Sequence, residues 1–291
     1  MKLDVPFNLD ATLCCGQVFR WEKISDWWYG VAGSRALKIR QVGGELEFAN
    51  ADELFIKHYF GLNDNLPAIS AEIGKDDYVR AALQEFWGMR IIRQDPWECL
   101  ISYICATYKS IPAIKHMLLN LSRRFGERIV LDSMEFHLFP TAEKLAKATV
   151  HQLADCGLGY RARFVLEASK RIFEGEFALE SLRQQRYEQA KKQLCTLPGV
   201  GPKVADCILL FSLEKLEAFP VDRWIARAII NHYAHALPRE LAKKLAEKNG
   251  LSDSEYAMLN AFGRSYFGRY AGYAQEYLYH YERMNAMNCR T

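Results

Sequence analysis

Residues 197–222 read LPGVGPKVADCILLFSLEKLEAFPVD, and this stretch places a glycine-rich turn between two helical runs. One helical run ends near Cys195, and Pro202 opens another that ends near Phe211. Proline suits the first position of a helix, where its missing N–H costs nothing. The pattern therefore predicts a helix, a tight hairpin and a second helix.

The hairpin is formed by Gly199, Val200 and Gly201. Glycine reaches positive φ and has no Cβ, so such a turn can aim backbone N–H groups at a phosphate oxygen. The partial positive charge at the N-terminus of the next helix favours the same anion. Such a contact reads no base sequence. The alternative is an ordinary helix connection punctuated by glycine and proline.

Lys203 lies in the first turn of the second helix, where a cation opposes the helix dipole. An amine must be neutral to attack carbon, and a free lysine has a pKa of about 10.4. The dipole contributes only about 0.3–1 kcal/mol, so we expect the pKa of Lys203 to fall mainly through burial in a closed pocket, which bound DNA can complete. The alternative is a solvated lysine that only contacts phosphate.

Asp222 precedes a run of apolar residues at helical spacing and is predicted to be the N-cap of that helix. Capping alone would explain an aspartate here. Breaking an N-glycosidic bond, however, builds positive charge on the sugar, and a nearby carboxylate can stabilise that charge or accept a proton. The spacing of Lys203 and Asp222 allows a helix and a return loop to bring both helix N-termini to one cleft.

These residues resemble the helix-hairpin-helix DNA glycosylases and, among them, the 8-oxoguanine DNA glycosylase/lyases. The resemblance extends over nearly the whole chain. It also rests on residues 8–10 with 16–21, 93–96 with 98–100, 158–163 and 270–275.

The resemblance implies a bifunctional enzyme of base excision repair, an N-glycosylase with lyase activity at abasic sites. Lys203 would attack C1′ of the damaged nucleotide, displace the base and form a Schiff base, so that the 3′ phosphate leaves by β-elimination. Asp222 matches the catalytic aspartate. The hairpin matches a phosphate clamp that a bound alkali cation often completes, and no other cofactor is implied.

Substrate choice rests on one hydrogen atom. Guanine N7 is only an acceptor, whereas the 8-oxo form carries a hydrogen there, so a backbone carbonyl can distinguish them. The resemblance gives that carbonyl to Gly16, and it gives stacking and hydrogen bonding of a flipped base to Cys207, Tyr279 and Gln275. Taken alone, Gly16 would be a turn glycine, Cys207 a small buried helix residue and Tyr279 a core residue.

The chain departs from the family pattern at the DNA-contacting loop. Ala113 stands where the family has an arginine that reads the opposite cytosine, which predicts weak discrimination for cytosine. Tyr108 is either a stacking wedge or a partly buried aromatic at a helix end. Tyr160 and Arg161 match the remaining wedge and estranged-base contacts. Arg223-Trp224 replaces a Val-His pair of animal members, which puts a phosphate contact in doubt.

Composition adds little specificity. The chain has 291 residues and a net charge of +3. Its eight cysteines include no C-x-x-C pair, and this pattern favours reduced thiols. Related enzymes with an iron–sulfur cluster need four cysteines near the C-terminus, and only Cys289 lies there, so no cluster is expected. Without a long apolar run, the protein is expected to be cytoplasmic or nucleoid-associated, or nuclear in a eukaryote. We expect a monomer whose partner is double-stranded DNA with an oxidised purine.

The predicted fold is α+β, with an N-terminal antiparallel sheet domain (1–85), a helical domain (86–185) and a second helical domain that carries the hairpin (186–291). The predicted strands are 18–21, 27–31, 37–42 and 46–49. The predicted helix signals are Asp95-Pro96, the runs 111–125 and 161–173, and a capping box at 252–255.

Two other functions stay open from the residues alone. One is a glycosylase for another damaged purine, which a panel of base substrates would separate. The other is a non-catalytic hairpin module that only holds DNA, although such a module needs neither Lys203 nor Asp222.

Overall fold

A computed structural model describes residues 1–238, 245 and 250–288. The fold is α+β, as predicted: a four-stranded antiparallel sheet followed by a mostly helical body. The strands pair in sequence order. They are β1 (Trp21–Ile24), β2 (Trp27–Ala32), β3 (Arg35–Val42) and β4 (Glu45–Ala49).

The predicted first strand, 18–21, is wrong, because β1 begins only at Trp21. Residues before it are held by the buried amide of Gln17, which donates to the carbonyls of Thr12 (3.1 Å) and Arg90 (2.8 Å). Its amide oxygen accepts from the N–H of Ile92 at 2.7 Å. The chain therefore runs against the 90–92 segment here instead of pairing with β2.

The helices of the described ranges form most of the molecule. The first precedes the sheet, and the others begin at residue 53. They are α1 (Leu9–Cys14), α2 (Glu53–Tyr59), α3 (Leu66–Ile73), α4 (Asp77–Glu85), α5 (Pro96–Ala106), α6 (Ile111–Phe125), α7 (Ala142–Ala146), α8 (Val150–Leu153), α9 (Arg161–Phe173), α10 (Tyr187–Leu194), α11 (Pro202–Ser212), α12 (Arg223–Tyr233), α13 (Asp253–Phe267) and α14 (Ala271–Asn288). A π-helical turn (Ala154–Leu158), three 3-10 turns (Leu179–Gln184, Ala234–Ala236, Gly268–Tyr270) and a hairpin of β5 (Arg128–Leu131) and β6 (Met134–His137) complete the elements.

The predicted helix signals are confirmed. Asp95 caps α5, whose first residue is Pro96, by accepting from the N–H of Glu98. The bounds of α6 and α9 agree with the predicted runs. Ser252 and Glu255 form the capping box that opens α13. Capping side chains act within one turn, which is why the sequence reveals them.

The described core has two parts. Trp21, Tyr59 and Phe60 belong to a smaller cluster between the sheet and α2, and Gly30 faces Trp21 so closely that a Cβ would lie 2.3 Å from its ring. A larger cluster joins the helices from α3 onward. Helices thus begin well before residue 85, and the division at residues 85 and 185 stays a prediction.

Candidate active site

The predicted helix, hairpin and helix are present. Helix α10 ends at Leu194, and Gly201 is the residue before the first turn of α11. Gly199 has φ +79°, and a Cβ there would lie 2.8 Å from the Cβ of Phe164. Gly201 is exposed, and a Cβ there would meet no other atom within 4 Å. One side of the hairpin is therefore packed on α9, and the other faces solvent beside the unpaired first N–H groups of α11.

Lys203 projects from the first turn of α11, and its side chain is half-buried. Its ammonium lies 5.4 Å from the centre of the Tyr103 ring and interacts with the thiol of Cys207, one turn further along α11. Among the described residues it makes no ion pair within 4.0 Å. Its ammonium is therefore not held in a direct ion pair in the DNA-free protein.

Asp222 is the N-cap of α12, as predicted. Its Oδ1 accepts from the backbone N–H groups of Trp224 and Ile225, both at 2.9 Å. Burial raises the pKa of Asp222 above its ordinary value, although those N–H groups and Lys203 oppose the rise. One carboxylate oxygen is thus engaged by the helix, and the carboxyl is near enough to Lys203 for the two groups to attract each other.

The expected fall in the pKa of Lys203 is not found in the DNA-free protein. Burial lowers it, but Cys207, Asp222 and Glu276 more than offset burial, and the pKa lies above its ordinary value. Burial raises the pKa of Cys207 to about 12, so that group is a neutral thiol near pH 7. Near pH 7 the attraction on Lys203 therefore comes from Asp222 and from the ionised fraction of Glu276, and the free enzyme holds Lys203 as an ammonium.

Helix α14 carries the residues assigned to the base pocket. Gln275 is 4% exposed, and its amide oxygen has no hydrogen-bond partner among the described residues. Tyr279 is half-buried one turn later. Gly16, with φ +106°, lies beside it, since a Cβ on Gly16 would be 3.3 Å from Cε1 of Tyr279. Cys207 is buried on α11 at 2% exposure. The structure brings the turn after α1 to α14, beside the lysine helix.

Glu276 is a member of this cluster that the sequence reasoning missed. It is 2% exposed, and its Oε1 has no hydrogen-bond partner in the described ranges. Burial raises its pKa to about 7, opposed by Cys15 and Arg283 and increased by Asp222. A lone acidic residue inside the apolar run YAGYAQEYLY (270–279) was the available signal.

Two tyrosines assigned to DNA contact are exposed. Tyr108 follows the end of α5, has φ +55° and is 95% exposed, so the alternative of a partly buried aromatic is wrong. Tyr160 is 59% exposed before α9. A left-handed φ is unfavourable for tyrosine, and the exposed side chain of Tyr108 packs in no core that would compensate for it. This backbone conformation therefore indicates a functional role.

Arg161, the third of these residues, is 4% exposed in the DNA-free protein. Its guanidinium lies 4.4 Å from the centre of the Tyr160 ring and donates to the carbonyl of Thr107. It thereby ties α9 to the residue before Tyr108. Ala113, in the first turn of α6, is half-buried.

Three observations concern cofactors and location. Among the described residues no group of three His, Cys, Asp or Glu side chains is placed to hold a metal ion. No helix in the described part of the chain has the length and apolar character needed to cross a membrane. Cys289, on which the expectation about an iron–sulfur cluster rested, lies outside the described residues.

Family models match residues 2–249 of the 291-residue chain. Residues 2–100 match the 8-oxoguanine DNA glycosylase N-terminal domain, and residues 101–249 match the HhH-GPD superfamily of base excision DNA repair proteins. The boundary between the two matches falls within α5, the helix that carries Tyr103 toward Lys203.

Individual relatives agree with these matches. The N-glycosylase/DNA lyase OGG1 of Arabidopsis thaliana is 32% identical over 94% of this chain and 76% of its own length. A probable N-glycosylase/DNA lyase of Methanothermobacter thermautotrophicus is 31% identical over 73% and 69%. The 8-oxoguanine glycosylase/lyase of Clostridium acetobutylicum, solved with double-stranded DNA containing cytosine opposite 8-oxoguanine, superposes with a TM-score of 0.87 at 31% identity over 97% and 93%.

A hairpin that opens a lysine-bearing helix, an aspartate cap beside that lysine, and matches spanning both halves of the chain lead to one conclusion: the chain belongs to the 8-oxoguanine DNA glycosylase family of the helix-hairpin-helix superfamily.

Proposed function

We propose that this protein is a bifunctional DNA glycosylase/lyase that excises 8-oxoguanine from double-stranded DNA and then nicks the strand. The observation that carries the proposal is the half-buried Lys203, which lies two residues after the exposed Gly201 of the hairpin and interacts electrostatically with Asp222 without an ion pair within 4.0 Å among the described residues. A module that only holds DNA would use the hairpin alone. The names of the similar enzymes support the same activity.

The first step breaks the N-glycosidic bond. Once the lysine has lost its proton, its lone pair forms a bond to C1′, and the bond from C1′ to the base nitrogen breaks, so that the base leaves with the bond electrons and takes up a proton. Asp222 stabilises the positive charge on the sugar. In the free enzyme the pKa of Lys203 lies above its ordinary value. Bound DNA excludes water from the cleft, and this additional burial lowers the pKa.

The second step cuts the strand. Opening of the sugar ring converts the amine adduct into a protonated Schiff base, which acidifies the hydrogens on C2′. Loss of one of those protons to a base breaks the C3′–O bond, and the 3′ phosphate leaves. Water then hydrolyses the Schiff base and restores Lys203. The leaving base and Glu276 are both groups that can take up protons at the pH of the reaction.

Base choice is assigned to the pocket on α14. We propose that the carbonyl of Gly16 accepts a hydrogen bond from N7–H of 8-oxoguanine, which guanine lacks. The unpaired amide oxygen of Gln275 is available to the Watson–Crick edge, and Tyr279 and Cys207 provide the two faces between which the base stacks.

DNA itself is proposed to lie across the hairpin and the exposed tyrosines. Gly199, Val200 and Gly201 would hold a backbone phosphate, with an alkali cation as an optional bridge. Tyr108 and Tyr160 would fill the space left by the flipped base, and Arg161 would support them. With Ala113 in place of an arginine, discrimination for the opposite cytosine is expected to be weak. We propose a monomer without another cofactor that works wherever the cell keeps its DNA.

Borohydride trapping tests the proposal. Duplexes with 8-oxoguanine opposite each of the four bases are compared with undamaged guanine, using the wild type, Lys203→Gln and a matched control, Lys147→Gln, whose exposed ammonium pairs with Glu143 on α7. We expect an adduct that needs the lesion and Lys203, with similar yields across the four partners.

Each other outcome points elsewhere. Base release without an adduct would indicate a monofunctional glycosylase. Release of a different damaged purine would indicate a different lesion range. Binding without release or adduct would favour the non-catalytic hairpin module, and a strong preference for cytosine would contradict the argument from Ala113.

A further inference from the structure

Arg283, near the end of α14, reaches across to the turn that follows α1. Its Nη1 donates to the carbonyl of Cys15 at 2.9 Å, and its Nη2 donates to the carbonyl of Cys14. Its guanidinium also lies 5.5 Å from the centre of the Tyr279 ring. One planar cation therefore contacts both the wall of the base pocket and the backbone beside Gly16.

A neutral histidine supports this guanidinium. Burial and the charge of Arg283 lower the pKa of His280 to about 4, so its ring is uncharged near pH 7. Nδ1 of His280 lies 3.4 Å from Nη2 of Arg283, and Phe86 packs on the ring with 4.2 Å between centroids. The arginine is thus held at a defined place, and an arginine held in this way loses little freedom when it binds two carbonyls.

The carbonyl on the other side of Gly16 is occupied as well. The carbonyl of Gln17 accepts from Nε2 of Gln94 at 2.8 Å and from the hydroxyl of Tyr103 at 3.3 Å. Within the described part of the chain, no group donates to the carbonyl of Gly16. The backbone carbonyls of residues 14, 15 and 17 thus each accept a hydrogen bond from a side chain, whereas the carbonyl of Gly16 accepts none from the described residues.

The same contact explains why residue 16 is a glycine. A Cβ there would lie 2.7 Å from Nη1 of Arg283, and the φ of +106° is one that other residues rarely adopt. A side chain at residue 16 would therefore displace the guanidinium from this position and would strain the backbone.

We infer that Arg283 is a positioning residue for lesion recognition: by holding the carbonyls of Cys14 and Cys15, it fixes the turn so that the Gly16 carbonyl is the free acceptor presented to N7–H of the oxidised base. This inference rests on the proposed function. Charge-assisted hydrogen bonds are the stronger kind, and a bidentate grip fixes direction as well as distance. Arg283 itself reads nothing on the base.

The experiment compares excision, which needs base recognition, with cleavage of a preformed abasic site, which does not. Arg283→Met keeps the length of the side chain and removes the donors, and Arg283→Lys keeps one point charge that cannot grip two carbonyls in a plane. Arg269→Met is the matched control, because that exposed guanidinium near the start of α14 pairs with Glu72. Thermal unfolding verifies that each variant is folded.

We expect Arg283→Met to lower single-turnover excision of 8-oxoguanine by about tenfold or more and to narrow the ratio of 8-oxoguanine to guanine excision, with abasic cleavage changed by less than about twofold. The excision rate and the excision ratio of Arg283→Lys should lie between those of Arg283→Met and the wild type, and both quantities in Arg269→Met should match the wild type. An unchanged ratio in Arg283→Met, or equal losses of excision and abasic cleavage, would overturn this role alone. A wild type that releases no 8-oxoguanine would overturn the proposed function and this role with it.

Discussion

The ammonium of Lys203 lies 5.4 Å from the centre of the Tyr103 ring, and that ring stacks on Phe211 with 5.6 Å between centroids. The face of an aromatic ring stabilises a cation by about 0.5–2 kcal/mol. Because the attacking amine must be neutral, Tyr103 works against deprotonation in the free enzyme and holds the ammonium in place until DNA enters.

Replacing Tyr103 by leucine should therefore lower the pKa of Lys203. We expect the pH at which trapping on an abasic duplex reaches half its maximum to move down by up to about one unit. Tyr103→Phe keeps the ring and should leave that pH unchanged. The measurement is adduct formation between pH 5 and 10, and an upward move in the leucine variant would contradict the argument.

Asp222 combines a capping role with a proposed catalytic one, and two variants separate them. Asparagine also caps helices, so Asp222→Asn should keep the stability while excision falls by about a hundredfold or more, because the charge beside the sugar is lost. Asp222→Ala should in addition lose about 0.5–2 kcal/mol of unfolding free energy. Urea unfolding and single-turnover excision give the two readouts. Full activity in Asp222→Asn would refute a role for the charge.

Glu276 should make stability depend on pH. Its pKa rises from 4.5 to about 7 on folding, so the folded state binds the proton more tightly. The stabilisation is present below about pH 4.5 and is lost as pH rises through 7, by up to about 3 kcal/mol.

Glu276→Gln cannot ionise and should be more stable than the wild type at pH 8, with nearly equal stability at pH 4.5. Other buried carboxyls titrate equally in both proteins. The difference between the unfolding free energies of the wild type and Glu276→Gln, measured with urea at each pH, therefore isolates the contribution of Glu276. If the unfolding free energies of the two proteins changed in parallel between pH 4.5 and 8, ionisation of Glu276 would not destabilise the folded state, and the prediction would be wrong.

Tyr108 should matter to DNA and not to folding. Since its side chain is 95% exposed, Tyr108→Ala should change the unfolding free energy by less than about 0.5 kcal/mol. A base stacked on an aromatic side chain is worth about 1–3 kcal/mol, so binding to a lesion duplex should weaken by about fivefold to a hundredfold. Equal affinity for both proteins in a fluorescence titration would remove Tyr108 from the interface.

The hairpin helices depend on a buried ion pair. Nζ of Lys191 on α10 lies 2.8 Å from the fully buried Asp206 on α11, which also accepts from Tyr187, Tyr256 and Asn260. Removing one partner of a buried pair costs about 3–5 kcal/mol, so Lys191→Met should be strongly destabilised. Lys192→Met, next to it and exposed, should not. A stable Lys191→Met variant would show that the hydroxyls and the amide alone satisfy Asp206.

Local signals in the sequence were enough for much of this architecture. Proline and glycine set the ends of the hairpin helices, Asp222 was readable as a cap, and the runs at 111–125 and 161–173 became α6 and α9 with the same bounds. These features depend on interactions within one or two turns. The first strand was misplaced, because long-range hydrogen bonds of Gln17 hold residues that resemble a strand.

The sequence by itself indicated the family, an N-terminal sheet followed by a helical body, and Lys203 and Asp222 as candidate catalytic residues, since each is expressed in short motifs. Only the tertiary structure decided the protonation and exposure of the side chains: the raised pKa of Lys203, the buried Glu276, the grip of Arg283 on the turn at Gly16 and the burial of Arg161. The physical reason is that a pKa and a free carbonyl depend on which distant segments surround them. Here the turn after α1, helix α11 and helix α14 meet only in the folded chain.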